Sequence, residues 1–373
     1  MAQTSPPAGM PGFKVLIVLH AFADGGAEAV FVRLANDLHR RGIAVTLVAA
    51  NAVGPNRARL NDAIEVVDLR AQRMLTAIPA LVQTLRRLRP SACISALTHT
   101  NLALLLVAGL ARSDARIVIS ERRSLTAEFA ETPGLKAWIK RRAIGWLYPR
   151  ADAIVTVSEA LRSEIDAMLL PASATTVTIR NPVDTARLQH LAREMRFDRA
   201  GDGALIVCVG RLVPQKNLPM LLRAFAILNR EHNARLIIAG DGPLRGALEA
   251  LARDLSITDL VEFAGYLENP YGLMARADIL ALSSDFEGLP NVLIEGLALG
   301  VQIVSTDCPT GPAEILGQGR FGRLVPVGDA NAMAEALTAA LDAPLDYDRE
   351  AALRPYQPER VFDAYLDVLQ GGP

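Results

Sequence analysis

Cysteine is scarce in this chain. Cys93, Cys208 and Cys308 are its only three, odd in number and far apart. They make neither a disulfide framework nor a metal-ligand cluster, and they point to a reducing compartment. Charge of one sign is lacking too: 39 basic residues against 40 acidic ones leave a net charge of -1. A general nucleic-acid binder carries a large positive excess, so the balance argues against that class. Long hydrophobic runs are also missing. The longest, Leu102 to Ala111, has ten residues, where a bilayer span needs about 20. It reads as the core of a buried helix. The opening MAQTSPPAGMPG lacks the basic-then-apolar order of a signal peptide, and residues 1–12 are expected to be a disordered tail.

Apolar sequence is plentiful, at 51% of 373 residues, which is ample for more than one domain. Its pattern alternates short strands with longer helical stretches. KVLIVLH (14–20), IAVTLVAA (43–50), IEVVDL (64–69), ACISAL (92–97), RIVISE (116–121) and DAIVTVS (152–158) read as strands. The pattern pauses near NPVDTARL (181–188) and restarts with ALIVCVG (204–210), ARLIIAG (234–240), VEFAGY (261–266), ADILAL (277–282) and QIVSTD (302–307). Continuous Val/Ile/Leu strands between helices signal parallel sheets covered on both faces. The expected fold class is α/β, with one domain over 13–185 and a second over 186–348. The remaining 349–373 carries an amphipathic helix whose apolar face is expected to pack back on the first domain. Two such halves are expected to face a cleft, a common ligand position.

Several turns carry glycine at strand ends. Gly25-Gly26 follows the first strand. Either the turn geometry alone asks for glycine, or a ligand approaches the backbone there. The Gly-x-Gly-x-x-Gly dinucleotide fingerprint is absent, as is a Gly-Lys-Ser/Thr phosphate loop. VGRLVPQKNLPMLL (209–222) puts Gly210 and Arg211 at a strand end and Lys216 just before a helix that Asn217 or Leu218 begins. Two cations and a helix start suit a diphosphate, since Arg offers a planar donor fork and Lys a compact charge. In AGDGPL, Gly240 to Gly242 read as a tight turn, with Pro243 at a first helical position and Asp241 a possible cap.

DFEGLPNVLIE (285–295) sets two glutamates eight positions apart. Glu287 falls on a loop beyond a strand end. Asn291 is expected to cap a helix that carries Glu295 in its second turn. A carboxylate there can accept hydrogen bonds from a ribose 2′,3′-diol. Backbone N–H groups of Gly288 and Leu289 can face a ligand, though Pro290 has none.

In this order and spacing, GGAE (25–28), GRLVPQKN (210–217), AGDGPL (239–244) and EGLPNVLIE (287–295) resemble the retaining glycosyltransferases of family 4 over nearly the whole chain. TDCPTGPAEIL (306–316), GRLVPVGD (322–329) and ISERRS (119–124) are similar to the branch that adds hexoses or N-acetylhexosamines to lipid-linked glycans and polysaccharide precursors. The resemblance implies the GT-B architecture of two Rossmann-like domains. It implies a nucleotide-sugar donor, UDP-linked, as co-substrate. Arg211 and Lys216 would bind its diphosphate, Glu295 its ribose and Glu287 the transferred sugar. Gly25, Gly26, Gly210, Gly242, Gly288, Leu289, Pro290 and Asn291 would line the donor. Many relatives place a donor-contacting histidine after the strand corresponding to RIVIS. Here Glu121 and Arg122 stand instead; these two, with His20 and His99 at other strand ends, are candidate acceptor or donor contacts, the alternative for His99 being a residue that simply caps or lines the helix that follows. No Asp-x-Asp appears in a loop beside a strand. Cationic side chains are expected to do a metal's work, with no metal or other cofactor.

The acceptor, a lipid-linked or oligosaccharide chain, would be read by the first domain. LKAWIKRRAIGWLYPR (135–150) mixes basic residues with both tryptophans of the chain. Such a helix can rest on an anionic membrane surface, or it can bury its aromatic face in the ordinary way. The expectation is a cytoplasmic enzyme, peripheral at the inner face of the cell membrane. The competing readings are a soluble GT-B enzyme acting on a free sugar or metabolite, a nucleotide-sugar epimerase, and a nucleotide-sugar-binding pseudoenzyme.

Overall fold

The computed structural model describes residues 12–372 except 24, 132–133, 170–173, 196 and 198–202. The expected tail falls almost wholly on residues 1–11, outside the described ones. The chain divides into two compact units: residues up to Pro182 joined by Glu359 onward, and Val183–Pro358. These junctions differ from the 185/186 and 348/349 positions read from the sequence pattern.

The first unit alternates β1 (Lys14–Ala21), α1 (Gly26–Arg40), β2 (Ala44–Asn51), β3 (Glu65–Asp68), α2 (Met74–Leu88), β4 (Ala92–Ala96), α3 (Thr98–Ala111) and β5 (Arg116–Glu121). It continues with α4 (Leu125–Glu131), α5 (Leu135–Leu147), β6 (Ala153–Thr156), α6 (Glu159–Leu169) and β7 (Thr175–Thr178). Its seven strands pair in parallel in the order β3-β2-β1-β4-β5-β6-β7. The strands are apolar on both faces because helices cover both; Val15, Leu16, Ile17, Val18 and Leu19 of β1 are all buried. β7, with the sequence TTVT, was not expected as a strand: three of its four residues are threonine, which fits a strand by β-branching rather than by apolar character.

The second unit contains α7 (Thr185–Glu194), β8 (Ala204–Val209), α8 (Leu218–Leu228), β9 (Ala234–Ala239), α9 (Arg245–Asp254), β10 (Val261–Gly265), α10 (Tyr271–Met274) and β11 (Ile279–Leu282). It ends with α11 (Asn291–Leu299), β12 (Gln302–Thr306), α12 (Pro312–Ile315), β13 (Arg323–Val325), α13 (Ala330–Asp342) and α14 (Arg349–Leu353). The six strands are again parallel, in the order β10-β9-β8-β11-β12-β13. β13 has only three residues, too short to announce itself by pattern.

The last helix, α15 (Pro358–Gln370), belongs to the first unit from Glu359 onward. Val361, Phe362, Tyr365, Leu366, Val368 and Leu369 enter that unit's core, beside Phe31 and Leu34 of α1. Fully burying apolar side chains of this size contributes about 1.5–3 kcal/mol each. Arg116 Nε donates to Val368 O at 2.7 Å, and Arg41 pairs with Asp363, which ties the helix at both ends.

In each sheet the strand order reverses once, between β1 and β4 and between β8 and β11. Chain connections leave in opposite directions at such a point. This opens a crevice beyond the carboxyl ends of the strands, where α/β sheets bind ligands.

Candidate functional site

The reversal point of the second unit brings the two principal motifs together. The loop after β8 carries Gly210 to Asn217, and the loop after β11 carries Ser283 to Pro290. They are joined by backbone and side chain: Asp285 N donates to Gln215 O at 2.9 Å, and Gln215 Nε2 donates to Phe286 O at 2.9 Å. Asn217 takes the left-handed conformation, φ 40°, which asparagine tolerates well. Its Nδ2 donates to Asp285 Oδ1 at 2.7 Å, and Ser283 Oγ donates to Lys216 O at 2.7 Å.

At the centre, Lys216 Nζ donates to Glu287 Oε1 at 2.6 Å. The same oxygen accepts from Ser284 Oγ at 2.6 Å, and Thr310 Oγ1 donates to the Glu287 carbonyl. Glu287 is only 8% exposed. Arg211 is exposed, and its guanidinium makes no hydrogen bond or ion pair among the described residues. An exposed guanidinium thus shares a loop with a lysine held in place by a carboxylate. Glu295 lies half-buried four residues into α11, with Tyr271 OH 3.4 Å from its Oε1. Tyr271 and Ser284 are partners that no motif spacing announces.

The glycines serve close backbone approach. A Cβ on Gly240, whose φ is +148°, would lie 1.9 Å from Gly210 O, and one on Gly242 would lie 2.5 Å from Leu212 O. The turn after β9 thus packs directly on the loop that carries Arg211 and Lys216. On the other side, a Cβ on Gly311 would lie 2.6 Å from Pro290 Cδ and 3.0 Å from Gly288 O, so the Thr310-Gly311-Pro312 turn supports the Gly288-Leu289-Pro290 turn. Leu289 is buried there.

Three local expectations are corrected. Asn291 does not cap α11: it is the first helical residue, and Pro290 stands at the cap position with no side-chain bond. Asp241 does not cap α9; its Oδ1 accepts from Gly242 N at 2.8 Å, inside the turn. Pro243 precedes α9 by two residues rather than starting it.

The reversal point of the first unit gathers the other expected residues. Gly25 is the cap residue of α1 and Gly26 its first residue. His20 is the next-to-last residue of β1, and His99 is the second residue of α3, shortly after β4. Their rings meet edge to face with centroids 5.3 Å apart. Leu97, between β4 and α3, has φ +74°, a strained conformation for leucine that turns the chain into the crevice. Burial, together with the nearby His20 and Lys140, lowers the His99 pKa, so this ring is neutral at neutral pH.

Glu121 and Arg122 face inward. Arg122 is buried and donates to Asn181 and, at 3.2 Å, to Tyr365 OH of α15. Its guanidinium also lies 5.7 Å from the Phe31 ring centroid. The group clamps α15 and is fully engaged with protein. Glu121 accepts from Tyr148 OH at 2.6 Å and from Arg122 N at 3.2 Å. Thr98 Oγ1 lies 3.2 Å from Glu121 and 3.0 Å from Glu128, which pairs in turn with Lys140. The single Thr98 hydroxyl proton serves one of these carboxylates at a time. Burial pushes the Glu121 carboxyl up to about 7, against the lowering effect of Tyr148. Tyr148 is fully buried, and its hydroxyl serves Glu121.

The thiols take no part. Burial pushes Cys208 up to about 11 and Cys308 up to about 12. Among the described residues no group of three His, Cys, Asp or Glu could hold a metal ion.

Comparison with known proteins follows the same division. Residues 24–187 match the model described as Glycosyltransferase Family 4, and residues 203–343 match that described as Glycosyl transferases group 1. A Campylobacter jejuni protein named N-acetylgalactosamine-N,N'-diacetylbacillosaminyl-diphospho-undecaprenol 4-alpha-N-acetylgalactosaminyltransferase is 31% identical over 64% of this chain, a match that spans 63% of that relative. A second C. jejuni protein, the GalNAc-alpha-(1->4)-GalNAc-alpha-(1->3)-diNAcBac-PP-undecaprenol alpha-1,4-N-acetyl-D-galactosaminyltransferase, is 29% identical over 88% of this chain and 89% of its own. Among solved structures, Anabaena Alr3699/HepE in complex with UDP superposes with a TM-score of 0.79 at 18% identity, covering 96% of this chain and 100% of that one. The last likeness is one of fold.

Proposed function

The chain belongs to the family 4 glycosyltransferases, and from that premise we propose that it moves a hexose or N-acetylhexosamine, with retention of anomeric configuration, from a UDP-linked sugar to a lipid-linked glycan. The observation that carries this reading is the Lys216–Glu287 pair at the strand reversal of the second unit, with Arg211 unengaged beside it. The relatives named above act on diphospho-undecaprenol-linked glycans by their names, which supports the acceptor class.

Negative charge accumulates on the diphosphate as the anomeric bond breaks. Lys216, held by Glu287, and Arg211, free to close on the ligand, stabilise that charge more in the transition state than in the ground state. These cations supply what a divalent ion would otherwise supply, so turnover is independent of added metal and survives chelation. Glu295 accepts from the ribose hydroxyls. Glu287 contacts the transferred sugar and aims Lys216, roles that account for it without a glycosidase-like nucleophile. The acceptor hydroxyl approaches on the leaving-group side, and a phosphate oxygen takes its proton.

The enzyme works in the cytoplasm at the inner face of the cell membrane. Trp138 and Trp146 of α5 are 60% and 59% exposed, and Leu135 and Ile139 are exposed beside Lys136, Arg141 and Arg142. A helix that keeps its tryptophans in solvent while carrying this many cations suits an anionic bilayer surface.

Thermal shift with UDP, GDP, ADP and NAD, on the protein and on Lys216→Ala, tests the donor half. Binding to the folded state raises the melting temperature. A UDP-selective rise that collapses in the variant is expected. No response to any nucleotide from a folded sample would sink the reading.

A further inference from the structure

The strand reversal of the first unit opens into a chamber of about 730 Å³ between α2, α3 and α5, within the size range of small-molecule sites, roughly 300–1,000 Å³. Its walls are aliphatic: Leu75 and Ile78 from α2, Leu102 and Leu106 from α3, Ile139 and Leu147 from α5. His20 and His99 close its inner end. Arg73, Lys136 and Lys140 also line it, and no carboxylate does among the described residues. Lys140 is neutralised by Glu128. Arg73 and Lys136 are exposed and make no ion pair among the described residues, so two unneutralised cations stand on an aliphatic chamber.

This lining does not suit a bare glycan. Each buried hydroxyl left without a partner costs about 1–3 kcal/mol, and the walls offer few partners. Nor does a plain hydrophobe explain two unpaired cations. The lining fits an aliphatic chain that ends in phosphate. The surroundings agree. Of the nine large apolar side chains exposed among the described residues, Leu75, Leu135, Trp138, Ile139 and Trp146 belong to α2 and α5. Leu75 and Ile139 line the chamber as well, so its apolar wall runs continuously onto the apolar surface.

We propose that this chamber binds the prenyl-diphosphate segment of the acceptor, with the first isoprene units against Ile78, Leu106 and Ile139 and the diphosphate on Arg73 and Lys136. The proposal rests on the lipid-linked acceptor named above and assigns its anchor to a defined site. A cylindrical, methyl-branched chain can leave this chamber directly onto the surface that α5 presents.

Calorimetric titration of the full chain with farnesyl diphosphate, below its micelle concentration, tests the assignment. Farnesol, inorganic diphosphate and dihexanoyl phosphatidylglycerol below its micelle concentration serve as controls, and UDP is titrated into the same samples. Farnesyl diphosphate is expected to bind at least tenfold more tightly than farnesol or inorganic diphosphate. Ile139→Glu and Lys136→Glu, both at exposed positions, should each weaken it at least tenfold while the UDP affinity and the melting temperature stay unchanged. Equal binding of inorganic diphosphate would reduce the site to a charge patch and overturn the proposal. So would wild-type affinity in Ile139→Glu, or monomeric dihexanoyl phosphatidylglycerol binding as tightly as farnesyl diphosphate, which would make the chamber a general phospholipid site. Failure of farnesyl diphosphate with UDP binding intact overturns the chamber alone. Failure of UDP with farnesyl diphosphate binding intact overturns the donor reading and leaves the chamber standing.

Discussion

Lys216 and Glu287 stand 71 residues apart in sequence, and their side chains meet at 2.6 Å. The pair sets the position of the ammonium before any ligand arrives, so part of the ordering entropy of binding is already met. Removing one partner should hurt stability as well as function, because the other is left largely buried. Lys216→Met should cost about 3 kcal/mol, the range for breaking a buried pair. The double variant Lys216→Met/Glu287→Gln should recover much of that loss and none of the UDP affinity. Urea melts of the four proteins in the cycle check this; strict additivity of the two single losses would mean the contact carries no coupling.

Glu295 should act on the nucleoside alone. Glu295→Ala is expected to weaken UDP about tenfold or more, from roughly 1.5 kcal/mol for a hydrogen bond to a charged group. Turnover at saturating donor should change little. In the same variant 2′,3′-dideoxy-UDP should bind as well as UDP. A tenfold preference for UDP surviving the substitution would place the ribose elsewhere.

Two glycines eliminate or admit a methyl group for opposite reasons. Gly240→Ala forces a Cβ against Gly210 O at a strained φ and should destabilise the second unit by more than about 2 kcal/mol, the scale of overpacking in a tight site. Gly246 lies in α9 with nothing within 4 Å of its Cβ position, so Gly246→Ala should be neutral or stabilising by up to about 1 kcal/mol. Thermal denaturation of the two variants side by side separates the effects.

Glu121 makes stability fall as pH rises. Its folded pKa, about 7, lies above the ordinary carboxyl value of 4.5. The native state therefore holds a proton that the unfolded chain releases. The contribution is complete below pH 4.5 and is lost between there and 7, with a total of about 3 kcal/mol at 1.36 kcal/mol per unit. Glu121→Gln, which keeps the hydrogen bond from Tyr148 and needs no proton, should flatten that slope. Denaturant midpoints at pH 5 and pH 8 measure it; an unchanged slope would show that Glu121 ionises freely in the fold.

Membrane contact through α5 should be salt-sensitive. The protein should sediment with phosphatidylglycerol vesicles and not with phosphatidylcholine. The bound fraction should fall as ionic strength rises, because exposed charges are screened. Trp138→Ser/Trp146→Ser should lose most of the association. Vesicle binding indifferent to both salt and tryptophan would remove α5 from the interaction.

Much of this architecture is legible from residue order. β1, β5 and β8 are unbroken Val/Ile/Leu runs because helices bury both of their faces, and that periodicity survives without tertiary information. Glycine before Arg211, and Glu287 and Glu295 on either side of one turn, mark loops at strand ends, which is where those residues lie. The partners are another matter. Nothing near Glu121 foretells Tyr148, and nothing near Glu295 foretells Tyr271, because each meeting depends on how separate helices pack. The same limit explains Asn291: a cap residue and a first helical residue differ by one position, and the backbone turn at Pro290 decides between them.

The placement of α15 in the core of the first unit has a consequence for synthesis. Val183–Pro358 is continuous, so the ribosome delivers all of that unit before it delivers the helix that its predecessor needs. The segment up to Pro182 emerges before that unit yet cannot bury the faces of Phe31 and Leu34 against Tyr365 and Phe362 until α15 has followed Pro358. During that interval it must wait as a sheet with an open apolar seam, and the second unit is the part that can finish first.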